Sequence, residues 1–153
     1  MIRAFRIVKT ARAGSAFDGE GARLYGGRWN SAGVAVVYVA SSLSLATLEV
    51  MVHLEELAVL TRLYSFIMVE FSTRFLESAQ PMELARGWNE PAPQPASMRV
   101  GDEWVRARRS AVLAVPSVVT PGEWNYLLNP RHPDFSQIRI HPPQPFRIDP
   151  RLE

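Results

Sequence analysis

Three polar residues, Arg28, Tyr38 and Glu49, interrupt the apolar-rich run YGGRWNSAGVAVVYVASSLSLATLEVMVHLEE, and together they suit one kind of ligand. Arg28 follows a glycine pair that lets backbone press close to a bound molecule, and its planar guanidinium is shaped for bidentate hydrogen bonding to phosphate. Tyr38 ends a strand-like run, where its ring could stack on a flat heterocycle while its hydroxyl stays wet. Glu49 lies between Leu48 and Val50 inside an apolar helical pattern, where a carboxylate is costly unless it meets a partner or a ligand. An anionic, aromatic molecule such as a nucleotide would use all three. Each also has an ordinary reading: an arginine stacked on Trp29, a core tyrosine, and a carboxylate paired with an arginine or sitting at a helix edge beside His53 and Glu56. Ser117, after Pro116, could hydrogen-bond a sugar or an amide, and no GxSxG elbow surrounds it to make it a nucleophile.

The elements that must position these residues follow from the pattern. Residues 3–8 read as a first strand, and residues 10–33 as a long glycine-bearing loop of the kind that carries function. Residues 34–40 read as a buried strand. Residues 43 to about 57 form a helix capped by Ser41 or Ser42, with Leu45, Leu48, Met51 and Val52 on its apolar side. Residues 63–71 read as a central strand, and 91–95 as a rigid proline loop. Residues 102–110 read as a short polar helix with Asp102 near its N-cap. Residues 111–119 return to strand composition, with Pro116 marking an edge or a bulge. The segment WNYLLNPRHPDF looks rich in turns, and IRIHPP and FRID look like two short final strands. Strands outnumber helices, so the fold class expected is α+β.

The composition narrows the classes. With 153 residues and 47% hydrophobic content, one compact domain spanning 1–153 is expected to bury its core without staples. The absence of cysteine excludes disulfides, a thiolate metal site and a cysteine nucleophile, and it fits a cytoplasmic protein. No run approaches a membrane span. His132 and His141 lie in proline-rich turns, and no HExxH, Walker or GxGxxG motif occurs, so no metal is expected. The net charge of +2 is too small to argue for nucleic-acid binding; a basic module built on Arg106, Arg108 and Arg109 is the competing reading from another class.

The blocks GGRWNSAGVAVVYVASSLSLATLEVMVHLE and VPSVVTPGEWNYLLNPRHPDF resemble the RES-domain toxins, the toxic halves of bacterial type II toxin–antitoxin pairs, and the resemblance spans essentially the whole chain. It implies a single RES domain with a central mixed sheet and few helices, similar to diphtheria-toxin-like ADP-ribosyltransferases. It implies depletion of NAD by cleavage of the nicotinamide–ribose bond through hydrolysis or phosphorolysis, or alternatively ADP-ribosyl transfer to a protein. NAD is then a substrate, inorganic phosphate a candidate co-substrate, and no cofactor is needed. By position, the family arginine is Arg28, its tyrosine Tyr38 and its glutamate Glu49; its serine is Ser117, with Ser110 as the alternative. The implied catalytic set is Glu49, Arg28 and Ser117, with Arg28, Tyr38 and Ser117 binding substrate. The implied partner is an Xre-type helix-turn-helix antitoxin, which would supply the DNA binding.

Overall fold

The computed structural model describes residues 1–152 as a curled mixed sheet with a few helices packed against it. In chain order the elements are β1 (Ile2–Lys9), α1 (Glu20–Tyr25), β2 (Val37–Ala40), α2 (Leu43–Met51), α3 (Ala58–Leu63) and β3 (Tyr64–Phe71). They continue with β4 (Leu76–Ser78), α4 (Pro95–Ala107), β5 (Val112–Pro116), β6 (Trp124–Leu128), β7 (Arg139–Ile140) and β8 (Gln144–Pro145). The strand order is β4-β5-β6-β2-β1-β3-β7, with β8 also on β3. Only β4 and β5 run parallel; the other pairs are antiparallel. The α+β expectation holds.

Local chemistry explains the elements. β3 alternates buried and half-buried residues along its length, the period of a strand with one face on a core. β5 is buried throughout, and Pro116 is harmless at its end because β4 pairs only with Val112, Leu113 and Ala114 and has stopped before it. Ser42 caps α2 by accepting from the Leu45 N–H at 3.0 Å. The main core joins Val37, Val69, Phe71, Val112 and Leu128 across the sheet. A second cluster gathers Trp29, Trp104, Leu113, Val115 and Leu127 beneath α4. Among the described residues no helix is long and apolar enough to cross a membrane.

Several boundaries differ from the sequence reading. The helix expected to reach residue 57 stops at Met51, with Leu48 (41%) and Val52 (60%) exposed rather than packed. The expected loop contains the 3-10 turn Thr10–Ser15 and the short helix α1. The polar helix begins at Pro95, whose fixed φ suits a first helical turn, so Asp102 lies mid-helix and not at the N-cap. Trp124–Leu128, read as turns, is a strand paired on both sides by β5 and β2. The last strand is Gln144–Pro145, not FRID.

Candidate active site

The decisive irregularity of the sheet lies between β1 and β2, whose only paired position is Phe5 opposite Ala40. β1 continues as a long ladder with β3, and β2 as a ladder with β6, so the two strands part company. A cavity of about 980 Å³ opens along this split, bordered by residues of β1, β2, α2 and the loop that contains Arg28. Arg28, Tyr38 and Glu49 all line it. This is the upper end of the size of small-molecule sites.

The Arg28 loop is fixed from several directions. α4 presents Ser97, Gly101 and Trp104 on one buried face, the spacing of neighbouring turns. Ser97 Oγ donates to the Arg28 carbonyl at 2.7 Å, and Asp102 accepts from the Ser31 N–H at 2.9 Å and from Ser31 Oγ at 2.6 Å. Gly101 permits the contact, since a Cβ there would stand 1.8 Å from the Trp29 carbonyl oxygen. Asn30 is fully buried, donates to the carbonyls of Ala22, Ser31 and Val34, and accepts from the Tyr38 hydroxyl at 2.6 Å. The same hydroxyl accepts from the Trp29 N–H at 3.1 Å. The Tyr38 hydroxyl is therefore internal and not wet, and burial pushes its pKa well above the ordinary tyrosine value. Its ring still borders the cavity. A side chain at Gly27 would collide with that hydroxyl, the Cβ lying 2.7 Å away.

The Arg28 guanidinium donates to the carbonyls of Trp88 at 3.0 Å and Pro91 at 2.9 Å, which aim it while leaving further N–H groups free. Burial lowers its pKa, and the nearby Glu49 charge partly offsets this. The two charges sense each other without forming an ion pair among the described residues.

Glu49 is held differently. Ser117 Oγ donates to Oε1 at 2.8 Å and Asn125 Nδ2 donates to the same oxygen at 2.6 Å. Among the described residues, none hydrogen-bonds to Oε2. Ser117 is 2% exposed and its oxygen also accepts from the Thr120 N–H at 3.0 Å, so it backs the carboxylate and does not line the cavity. Ser110 is elsewhere, accepting from Trp104 Nε1 at 2.8 Å. Arg109 is paired with Glu77 at 2.7 Å, which breaks up the basic cluster. His53 is exposed at the cavity rim. Among the described residues, no three His, Cys, Asp or Glu side chains gather to hold a metal.

The model of the RES domain matches residues 3–149. This chain belongs to the RES-domain family. A Prs ADP-ribosylating toxin of Sphingobium sp. strain YBL2 is 40% identical, over 97% of this chain and 94% of that protein. A Toxin Res of Yersinia enterocolitica is also 40% identical, over 97% of this chain and 98% of its own length. The crystal structure of the M. tuberculosis MbcT–MbcA toxin–antitoxin complex holds a chain with TM-score 0.77 and 17% identity, over 94% of this chain and 83% of that one. At that identity the likeness is one of fold. In this RES domain the fold gathers Arg28, Tyr38 and Glu49 from three separate segments around one opening, with Ser117 behind Glu49. Sequence reasoning missed Asn125 and Asn30, which fix Glu49 and Tyr38. Asn125 lies inside a block that resembles the family, but only the β6 ladder shows that it faces Glu49.

Proposed function

We propose that this RES domain is the toxin of a type II toxin–antitoxin pair and that it consumes NAD by cleaving the bond between nicotinamide and ribose. The observation that carries this reading is the position of Glu49: among the described residues it is the one carboxylate lining the cavity, held by Ser117 and Asn125 through a single oxygen. Cleavage passes through an oxocarbenium-like state, and a nearby carboxylate stabilises that developing positive charge. Nicotinamide departs with the bonding electron pair as a neutral molecule. An oxygen of water or of inorganic phosphate then bonds to the anomeric carbon; water gives up its proton and phosphate forms the glycosyl phosphate. Glu49 Oε2 is the oxygen assigned to charge stabilisation and to the ribose hydroxyl, Arg28 binds the diphosphate, and the Tyr38 ring packs on the nicotinamide. Ser117 acts through Glu49 as a positioning residue. No covalent nucleophile is required.

Purified protein incubated with NAD, with and without inorganic phosphate, should release nicotinamide; a fully intact NAD pool under both conditions would overturn the assignment. The name of the Sphingobium relative favours a second reading, transfer of ADP-ribose to a protein. NAD labelled in its adenine separates the two, because only transfer leaves label on protein. The fold's kinship with diphtheria-toxin-like transferases, a cytoplasmic location and an Xre-type antitoxin that covers the cavity are parts of the same proposal. The toxin–antitoxin complex formed by its structural neighbour supports the antitoxin. Co-expression with such a partner should abolish NAD loss.

A further inference from the structure

Residues 80–94, between β4 and α4, form a long and mostly irregular connection, of the kind that in a small domain usually carries function. Pro91 and Pro93 have no N–H to give to a strand ladder, and the amides before them close only local turns: Leu84 onto Pro81, Trp88 onto Ala85 and Glu90 onto Gly87. Among the described residues, the hydrogen bonds that join residues 81–93 to a distant segment are the two that Arg28 donates, Nη1 to the Trp88 carbonyl at 3.0 Å and Nη2 to the Pro91 carbonyl at 2.9 Å. Its apolar anchors are Leu84 and Trp88, both packed on the second core cluster. There the Trp88 ring lies 5.9 Å from the Trp29 ring, tilted by 33°. Pro91 and Pro93 border the cavity, so the segment runs along its rim.

Arg28 therefore stands between this segment and the cavity. Two of the five N–H donors of its guanidinium go to neutral carbonyls, which orient the cation without neutralising it, and Glu49 forms no ion pair with it. A diphosphate that takes the remaining donors meets a cation whose plane is already fixed, and so loses less freedom on binding. The coupling is reciprocal: an arginine held by a ligand is a firmer post for the segment tied to it. We propose that residues 81–93 are a strap that positions Arg28 for the diphosphate, with Trp88 as its anchoring side chain, and that a bound diphosphate fastens the strap. The proposal rests on the NAD reading above and adds to it a positioning residue and a moving part. One competing role is a passive connection, indifferent to ligand. The other is a latch, in which carbonyls and phosphate compete for the same donors and the ligand frees the segment.

The chain has no cysteine, so Asn89→Cys, at an exposed position between the two accepted carbonyls, takes a single nitroxide label whose spectrum reports the motion of the strap. ADP-ribose, which carries the diphosphate, should lower the mobile fraction of the label about fivefold or more, the lower end of ordinary coupling between sites. Nicotinamide riboside, which carries no phosphate, should leave it unchanged. A label that does not respond to ADP-ribose overturns the strap in favour of a passive connection, and one that becomes more mobile overturns it in favour of the latch; either result leaves the NAD reading intact. Calorimetric titration of Trp88→Ala gives the reverse direction: ADP-ribose should bind about three- to tenfold more weakly, the worth of one aromatic pair, with nicotinamide riboside unaffected. Trp88→Phe keeps a ring against Trp29 and should recover most of the loss. Wild-type affinity in Trp88→Ala, or equal weakening of both ligands, overturns the positioning role. Thermal melts establish that the variants are folded; if Trp88→Ala is not, Trp88→Phe and the label decide. Failure of wild type to bind ADP-ribose overturns the strap and the NAD reading together.

Discussion

The cavity has a built side and a hung side. On the built side, the Arg28 loop is clamped by α4, the Arg28 and Trp29 carbonyls are contacted by Ser97 and Gly101, and Asn30 satisfies three carbonyls while fixing Tyr38. On the hung side, Glu49 stands on α2, a nine-residue helix whose Leu45 and Ala46 are buried but whose Leu48 and Val52 are exposed. Two side-chain hydrogen bonds to one oxygen restrain the carboxylate. The difference teaches that the Arg28 loop and Tyr38 are tied into the core, so altering their supports endangers the fold, whereas the carboxylate can be altered with the fold left standing. The predictions below attack one side or the other.

The largest effect is expected on the hung side and on chemistry alone. Glu49→Gln keeps an oxygen that can accept from Ser117 and Asn125 but removes the charge that the transition state needs. NAD turnover should fall about 10³-fold, the scale of losing a principal electrostatic stabiliser. The melting transition should stay within the ordinary range of a tolerated substitution, about ±0.5 kcal/mol. A Glu49→Gln protein that turns over NAD at wild-type rate would remove Glu49 from the mechanism.

On the built side, Gly101→Ala should unfold what Glu49→Gln spares. The added methyl meets backbone, not a flexible side chain, so α4 or the Trp29 peptide must shift. Overpacking of this kind costs about 3 kcal/mol, read as a lowered urea midpoint, with activity falling in parallel as the Arg28 loop moves. An unchanged midpoint would show that α4 can slide and that the loop is not clamped by it.

Tyr38→Phe probes the junction of the two sides. It leaves the Trp29 N–H and Asn30 Oδ1 without their hydroxyl partner, a loss of about 1–3 kcal/mol. It also carries a pH signature. The buried hydroxyl has a folded-state pKa raised above the unfolded value, so its contribution is complete below about pH 10 and is lost as pH rises beyond it. Each pH unit above that point removes up to about 1.4 kcal/mol from wild type relative to Tyr38→Phe, until the folded-state value is reached. The two stability curves should converge in alkali; parallel curves from pH 9 to 11 would show that the hydroxyl ionises in the fold as readily as outside it.

The division also explains what the sequence made legible. A glycine pair, a tyrosine in a β-branched run and a carboxylate in an apolar helix are local signals, and they located the Arg28, Tyr38 and Glu49 segments, although Tyr38 stands second in β2 and not at its end. The end of α2 at Met51 was not legible, because Leu48 and Val52 keep helical spacing although they face solvent. Asp102 looked like a cap because acidic residues often start helices, yet here its job is tertiary, holding Ser31. Asn125 carries no local sign of function. It acquires one only from strand pairing, which lays β6 beside β2 and turns Asn125 toward Glu49.

The smallest effect tests whether the hung side is restrained at all. Ser117 and Asn125 donate to the same oxygen of Glu49, from the strand ends Pro116 and Trp124 that face each other across β5 and β6. If they act only by aiming the carboxylate, Ser117→Ala and Asn125→Ala should each lower the turnover number about tenfold, near the worth of one hydrogen bond to a charged group, and leave the KM for NAD little changed. The double variant should lose less than the product of the two, because a carboxylate released by one deletion has less left for the second to disturb. A raised KM with an unchanged turnover number would instead mean that Asn125, which borders the cavity, or Ser117 touches NAD itself. Conservative Ser117→Thr separates these outcomes further: its hydroxyl can still reach Glu49, so a positioning role predicts partial recovery of turnover, and recovery of KM alone would count against it.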